Sequence, residues 1–209
     1  MKPYHSNNQS GGDEVWTSTL SLIELQQQKI IEGPILGQGA PWHDSYGWSD
    51  SGTEMASIWE EYIRGTYHLQ NMFSHQRDDY ASSAIDAAMF PAEDDRIIPF
   101  EIKYSTHNCM HYKDIHGNAK VSFYTQDKQI ECLRPNGMVC NPTSGIWWPT
   151  DEAKLNPRYF YNFEGAVYSH EGYFIVGCVW KSSREGEGMT AHWIKISYSQ
   201  FKKYFKKDH

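Results

Sequence analysis

Asp86, Glu101 and Lys103 are the residues whose types and spacing best suit chemistry, and all three fall in the stretch Ala84 to Ser105. Glu101 and Lys103 stand two apart in the run IPFEIKY. Strand side chains alternate faces, so both project from one face if the run is a strand. Asp86 belongs to an earlier short run, AIDAAMF, and the segment PAEDD between the two has turn composition. If the runs pair as a hairpin, Asp86 reaches the same face. Two carboxylates and one ammonium then converge at the end of a small sheet. Carboxylate oxygens suit a hard divalent cation, and an ammonium suits a phosphate. The plain alternative is a surface hairpin with an ordinary Glu–Lys pair, worth less than about 1 kcal/mol.

The flanking segments must position these groups. Upstream, Thr53–Tyr67 (TEMASIWEEYIRGTY) reads as a helix capped by Ser51 or Thr53. Glu54, Ile58 and Tyr62 recur every four residues and share a side, so Glu54 is a fourth candidate. Its plain role is to complement the helix N-terminus. Glu61 is a weaker rival on a nearby face. Within the second strand, Ile97, Ile98 and Phe100 fill the core, and Pro99 marks an edge or a bulge. Downstream, Tyr124–Arg134 reads as a helix capped near Thr125, with Ile130 and Leu133 toward the sheet and Gln126 and Gln129 on one side. The apolar run Tyr173–Trp180 (YFIVGCVW) suits a central strand buried on both faces. His192–Tyr198 is a further strand. Ser199–Lys207 reads as a short helix with Phe201, Tyr204 and Phe205 inward, and its Lys202, Lys203, Lys206 and Lys207 form the one concentrated basic patch.

The remaining segments read as supports. Residues 1–13 have the composition of a loose terminus. Val15–Ile31 reads as a helix with Leu22, Leu25 and Ile30 on one face, capped by Thr17 or Ser18. Residues 37–52 form an ordered loop anchored by Trp42 and Trp48, and the spacing of Gly37, Gly39 and Gly47 fits no phosphate-binding loop. His68–Ser83 is a polar cover carrying Arg77, Asp78 and Asp79. Residues 141–171 are an irregular, aromatic-rich insertion with a strand at 159–168.

A length of 209 residues allows one domain with a real core, spanning 14–209. Aromatic content of 15% excludes a disordered chain. Net charge of −7 argues against a broadly basic nucleic-acid surface, although basic groups clustered at a carboxylate site remain compatible with one. No run approaches the roughly 20 apolar residues of a membrane helix. Four irregularly spaced Cys and no leader segment point to free thiols in a reducing cytoplasm. His107, Cys109, His111 and His116, with Cys132 and Cys140, raise a zinc alternative, but their spacing matches no paired ligand pattern.

The order helix, strand with Asp, turn, strand with Glu101-Ile102-Lys103, helix, apolar strand, strand, helix resembles the PD-(D/E)xK nuclease superfamily. The resemblance covers roughly Thr53 to Lys207, with 141–171 unmatched and Ile85 standing where the motif has Pro. It implies an α/β fold with a restriction-endonuclease-like core: a small mixed central sheet flanked by helices. It implies a Mg²⁺-dependent deoxyribonuclease, with Mn²⁺ able to substitute. Asp86, Glu101 and the Ile102 carbonyl would hold the metal, Lys103 would serve catalysis, and Glu54 would serve both. DNA is the implied partner, and a homodimer is compatible with it. The size suits a restriction-type, phage or mobile-element enzyme. The reading from a different class is a non-catalytic nucleic-acid- or protein-binding module on the same fold.

Overall fold

The computed structural model describes residues 14–35, 39–72, 85–105, 117–158, 160–181 and 188–208. In chain order the elements are β1 (Glu14–Ser21), α1 (Leu22–Gln27), β2 (Ala40–Trp42), α2 (Gly52–Tyr67), β3 (Gln70–Asn71), β4 (Ala87–Met89), β5 (Ile98–Tyr104), β6 (Lys120–Thr125), α3 (Asp127–Cys132), β7 (Met138–Cys140), β8 (Trp147–Pro149), α4 (Thr150–Lys154), β9 (Val167–Tyr168), β10 (Tyr173–Lys181), β11 (Met189–Ser197), α5 (Tyr198–Tyr204) and β12 (Phe205–Lys207). The fold is α/β, with one large mixed sheet and two small ones.

The large sheet has the order β2-β11-β10-β5-β4-β3. Its single parallel pair is β5 with β10, and the other neighbours are antiparallel. The continuous apolar run of β10 follows from this position, because both of its faces are covered. On one face Phe100, Ile102, Ile175, Val179 and Trp193 pack against Met55, Trp59, Tyr62 and Ile63 of α2. On the other, Phe174, Val176 and Ile194 pack against Phe123, Ile130, Phe201 and Phe205. Burying each large apolar side chain contributes roughly 1.5–3 kcal/mol, so the two layers clamp β5 and β10 firmly. Gly177 makes the β10–β11 contact feasible, since a Cβ there would stand 2.1 Å from the His192 carbonyl oxygen.

The N-terminal half differs most from the sequence expectation. Val15–Ile31 is not one helix. Residues 14–21 form β1, which pairs with β6 on one side and β12 on the other. Their β-branched and aromatic residues alternate, burying Trp16 and Ser18, and that period of two prevails over helix formation. The helix begins only at Leu22. Ser21, not Thr17 or Ser18, caps it, in a reciprocal capping box with Glu24. At the other end, the basic helix stops at Tyr204, and residues 205–207 form β12. Lys207 is tied to Glu14 (2.9 Å) and Asp127 (3.0 Å), so the basic patch is smaller than its composition implies.

The downstream helix is shorter than expected. Tyr124 and Thr125 end β6, α3 starts at Asp127, and Ile130 and Leu133 are buried as the pattern required. The 141–171 segment contributes β8 and β9, which flank β7 in a small sheet, and its strand near the end is confined to 167–168. Trp42 is buried, whereas Trp48 is exposed and anchors no core. Among the described residues, no helix is long and apolar enough to cross a membrane.

Candidate active site

Asp86 lies immediately before β4, and β4 pairs with β5 through Ala87↔Phe100, Ala88↔Pro99 and Met89↔Ile98. β10 joins β5 only from Phe100 onward, so the Pro99 stretch has a single sheet neighbour, as a strand proline demands. The Asp86 N–H donates to the Phe100 carbonyl (3.2 Å), which closes the ladder. One step further the backbone pairing ends, and the Asp86 side chain takes its place. Its Oδ2 accepts the Ile102 N–H at 2.8 Å. This sets Asp86 at an open corner of the sheet rather than within the strand. In a strand the N–H and C=O of one residue point to the same side, so the Ile102 carbonyl also faces this corner.

Glu101 and Lys103 share the opposite face of β5 from Phe100 and Ile102, and their side chains meet: Nζ stands 3.6 Å from Glu101 Oε1. Gln129, from the first turn of α3, joins them. Its Nε2 donates to Glu101 Oε1 (3.0 Å), and its Oε1 accepts from Lys103 Nζ (2.6 Å). The same Oε1 accepts from the Gln126 N–H (3.1 Å) and the Thr125 hydroxyl (3.2 Å). The helix start therefore fixes the amide, and the amide fixes both charged groups.

The electrostatics are those of crowded carboxylates. Glu101 is 4% exposed, and its pKa is raised well above the usual range, first by burial and then by the Asp86 charge. Asp86 is also raised by burial, against the pull of its bonds to Glu101 and the Ile102 N–H and of the Lys103 and Arg64 charges. The two carboxyls stand near enough to act on each other, so a proton on one of them relieves the pair when no cation is near.

Helix α2 contributes a different carboxylate from the expected one. Glu54 is exposed in its first turn, where its Oε2 accepts the Ser49 hydroxyl at 2.5 Å. Ser51 caps the helix. Glu61 is exposed as well. Glu60 instead is pushed up to about 7 by burial and by the Asp86 charge, with Arg64 one turn on pulling it down. At 100° per residue, Glu54 and Glu60 point about 120° apart around the helix. The signal that could have found Glu60 is its neighbour: the buried stripe is Met55, Trp59, Tyr62 and Ile63, and Glu60 borders it with a partner at i+4.

The described residues include no set of three or more His, Cys, Asp or Glu side chains already arranged around a metal. His107, Cys109, His111 and His116 lie outside the described residues, and Cys132 and Cys140 are buried free thiols. The donors at the corner are all hard oxygens, and two carboxylates with one carbonyl are enough for Mg²⁺, which retains several waters. Their mutual repulsion fits a cation.

No protein-family model matches the chain, and no curated protein or solved structure is similar to it.

Proposed function

We propose that the chain is a metal-dependent nuclease that hydrolyses DNA phosphodiester bonds, with Mg²⁺ as cofactor and Mn²⁺ able to substitute. The observation that carries this reading is the meeting of Asp86, Glu101 and Lys103 at one corner, where repulsion between two acids is left for a cation to relieve. Asp86 and Glu101 would hold the ion with the Ile102 carbonyl, and Glu60 replaces Glu54 as the helix carboxylate nearest to it. When bound, the ion would polarise the phosphodiester and lower the pKa of a water.

The chain's own groups do the rest. Gln129 holds the Lys103 ammonium on one of its three N–H donors, which leaves donors for a phosphate oxygen or a water. Lys103 thereby stabilises the charge that grows on the phosphate. Gln129 also holds the Glu101 carboxylate in line with Lys103, so the acid and the amine keep a fixed spacing. The order α2, β4, β5, α3, β10, β11, interrupted by β6 and by the β7–β9 segment, resembles the PD-(D/E)xK arrangement and supports the reading of a restriction-endonuclease-like core.

The test is incubation of purified protein with plasmid, linear duplex and single-stranded DNA in Mg²⁺ or Mn²⁺, with the product ends mapped. Cleavage leaving 5′-phosphates is expected, reduced by about a hundredfold or more in Glu101→Ala and Lys103→Ala. The reading is sunk if no form of DNA is cut, or if both variants cut as well as the parent. DNA binding without uptake of Mg²⁺ at Asp86 and Glu101 would favour the non-catalytic module.

A further inference from the structure

Arg64 is the charged group at this corner that the reading above leaves without a task. It lies on α2, one turn beyond Glu60, and its side chain is only 20% exposed. A guanidinium offers five N–H donors in a planar fork. Among the described residues its only side-chain partner is Glu60, at 3.6 Å, a loose contact for an ion pair. Among the described residues no Arg64 nitrogen is both buried and without a partner, and the exposed fifth of the side chain gives an anion a way to the fork. Its charge also acts on Asp86.

Position separates Arg64 from Lys103. Lys103 comes from the face of β5 that α3 covers, and Gln129 and Glu101 already hold it. Arg64 comes from α2, which packs on the opposite face over Phe100 and Ile102. The two cations approach the open corner beside Asp86 from opposite sides of the sheet. The charges agree with a ligand between them. Glu60, Asp86 and Glu101 against Lys103 and Arg64 leave one net negative charge when all are ionised. One divalent cation reverses this to one positive, and a single phosphodiester neutralises it.

We propose that Arg64 is a phosphate-binding residue: its fork binds the non-bridging oxygens of one backbone phosphate of the nucleic acid, on the α2 side of the corner. This rests on the nuclease reading for its choice of ligand. Arg64 leaves the loose Glu60 contact to do so, and a planar fork matches two phosphate oxygens where an ammonium matches one.

The experiment is equilibrium binding of a fluorescein-labelled 20-base-pair duplex in Ca²⁺, with the DNA checked to be intact, over a range of salt concentrations. Arg64→Ala is expected to weaken binding roughly ten- to a hundredfold. It should also lower the slope of log K against log salt by about 0.9, the signature of one lost phosphate contact. Arg64→Lys should keep the slope and lose most of the affinity gain; it also serves where Arg64→Ala does not fold. Unchanged affinity and slope in Arg64→Ala overturns the proposal, as does a parent that binds no duplex. The two readings fail separately. A parent that cuts DNA in Mg²⁺ while Arg64→Ala binds normally removes Arg64 alone; a parent that cuts nothing, with the slope still falling, removes the nuclease reading alone.

Discussion

Asp94 and Glu101 both stand beside a basic side chain, yet their surroundings push them in opposite directions. Asp94 lies in the exposed turn between β4 and β5. Its Oδ2 meets His170 Nε2, and its Oδ1 accepts the Arg96 N–H at 2.9 Å. Water remains around it, so these bonds favour the charged form and its pKa is lowered. Glu101 sits seven residues later on the same hairpin, where burial and the Asp86 charge raise its pKa despite Lys103. One carboxylate is satisfied by its neighbours. The other is held against a second acid, in a place where only a cation or a proton relieves it. The difference comes from desolvation and from the partner on the other strand, not from residue type.

The largest test of this contrast is the sign of a stability change. Asp86→Asn keeps an oxygen to accept the Ile102 N–H and removes one of the two crowded charges. Without metal at pH 8 it should raise stability by about 1–2 kcal/mol, the gain typical when a functional site gives up its strain. Asp94→Asn should lower stability under the same conditions, because it removes a favourable charge beside His170. Urea melts of the two variants decide the matter. If both substitutions destabilise, the corner carries no stored repulsion and the contrast is wrong.

The two regions should also respond to opposite sides of the pH scale. Glu60 rises from 4.5 to about 7 on folding, so the native state binds the extra proton. Its contribution to stability is fully present below pH 4.5 and is lost as the pH rises through about 7. Asp94, lowered from 3.8, contributes stability above that value and loses it as the pH falls through its folded pKa. Metal-free protein melted between pH 4.5 and 8 should therefore lose stability, and Glu60→Gln should flatten that fall. Asp94→Asn should lower stability by a constant amount across this window, leaving its slope unchanged, and should change the slope only on the acid limb. A profile that Glu60→Gln does not alter would place Glu60 away from the Asp86 charge.

What the sequence revealed follows the range of the interactions. The Asp86, Glu101 and Lys103 cluster was legible because a hairpin links neighbours in the chain and strand alternation fixes which side chains meet. Strand β10 was legible because burial on both faces leaves a continuous apolar run. The placement of β1 was not, since its partners β6 and β12 come from residues 120–125 and 205–207 and no local pattern names them. Gln129 was read as lying on a polar side of its helix. That it bridges Glu101 and Lys103 depends on where β6 delivers the start of α3. Glu60 was missed for a related reason. The period chosen for α2 ran through Glu54, Ile58 and Tyr62, while the buried stripe runs through Met55, Trp59, Tyr62 and Ile63, and that offset turns a different carboxylate toward the site.

This offset gives the smallest effect to look for. Glu54→Gln removes a charge from the first turn of α2 and weakens the bond from Ser49, while the Ser51 cap stays in place. The expected loss of stability is a few tenths of a kcal/mol, at about 0.5, from the helix dipole alone. Because Glu54 faces away from Asp86, the substitution should change neither Mg²⁺ affinity nor the rate of DNA cleavage. Glu60→Gln, six residues along the same helix, should weaken both. Isothermal titration with Mg²⁺ on the two variants separates them without relying on turnover. Equal losses would mean that α2 rotates on binding metal, bringing its first turn to the corner, and the stripe through Met55 and Trp59 could then not stay buried as it is.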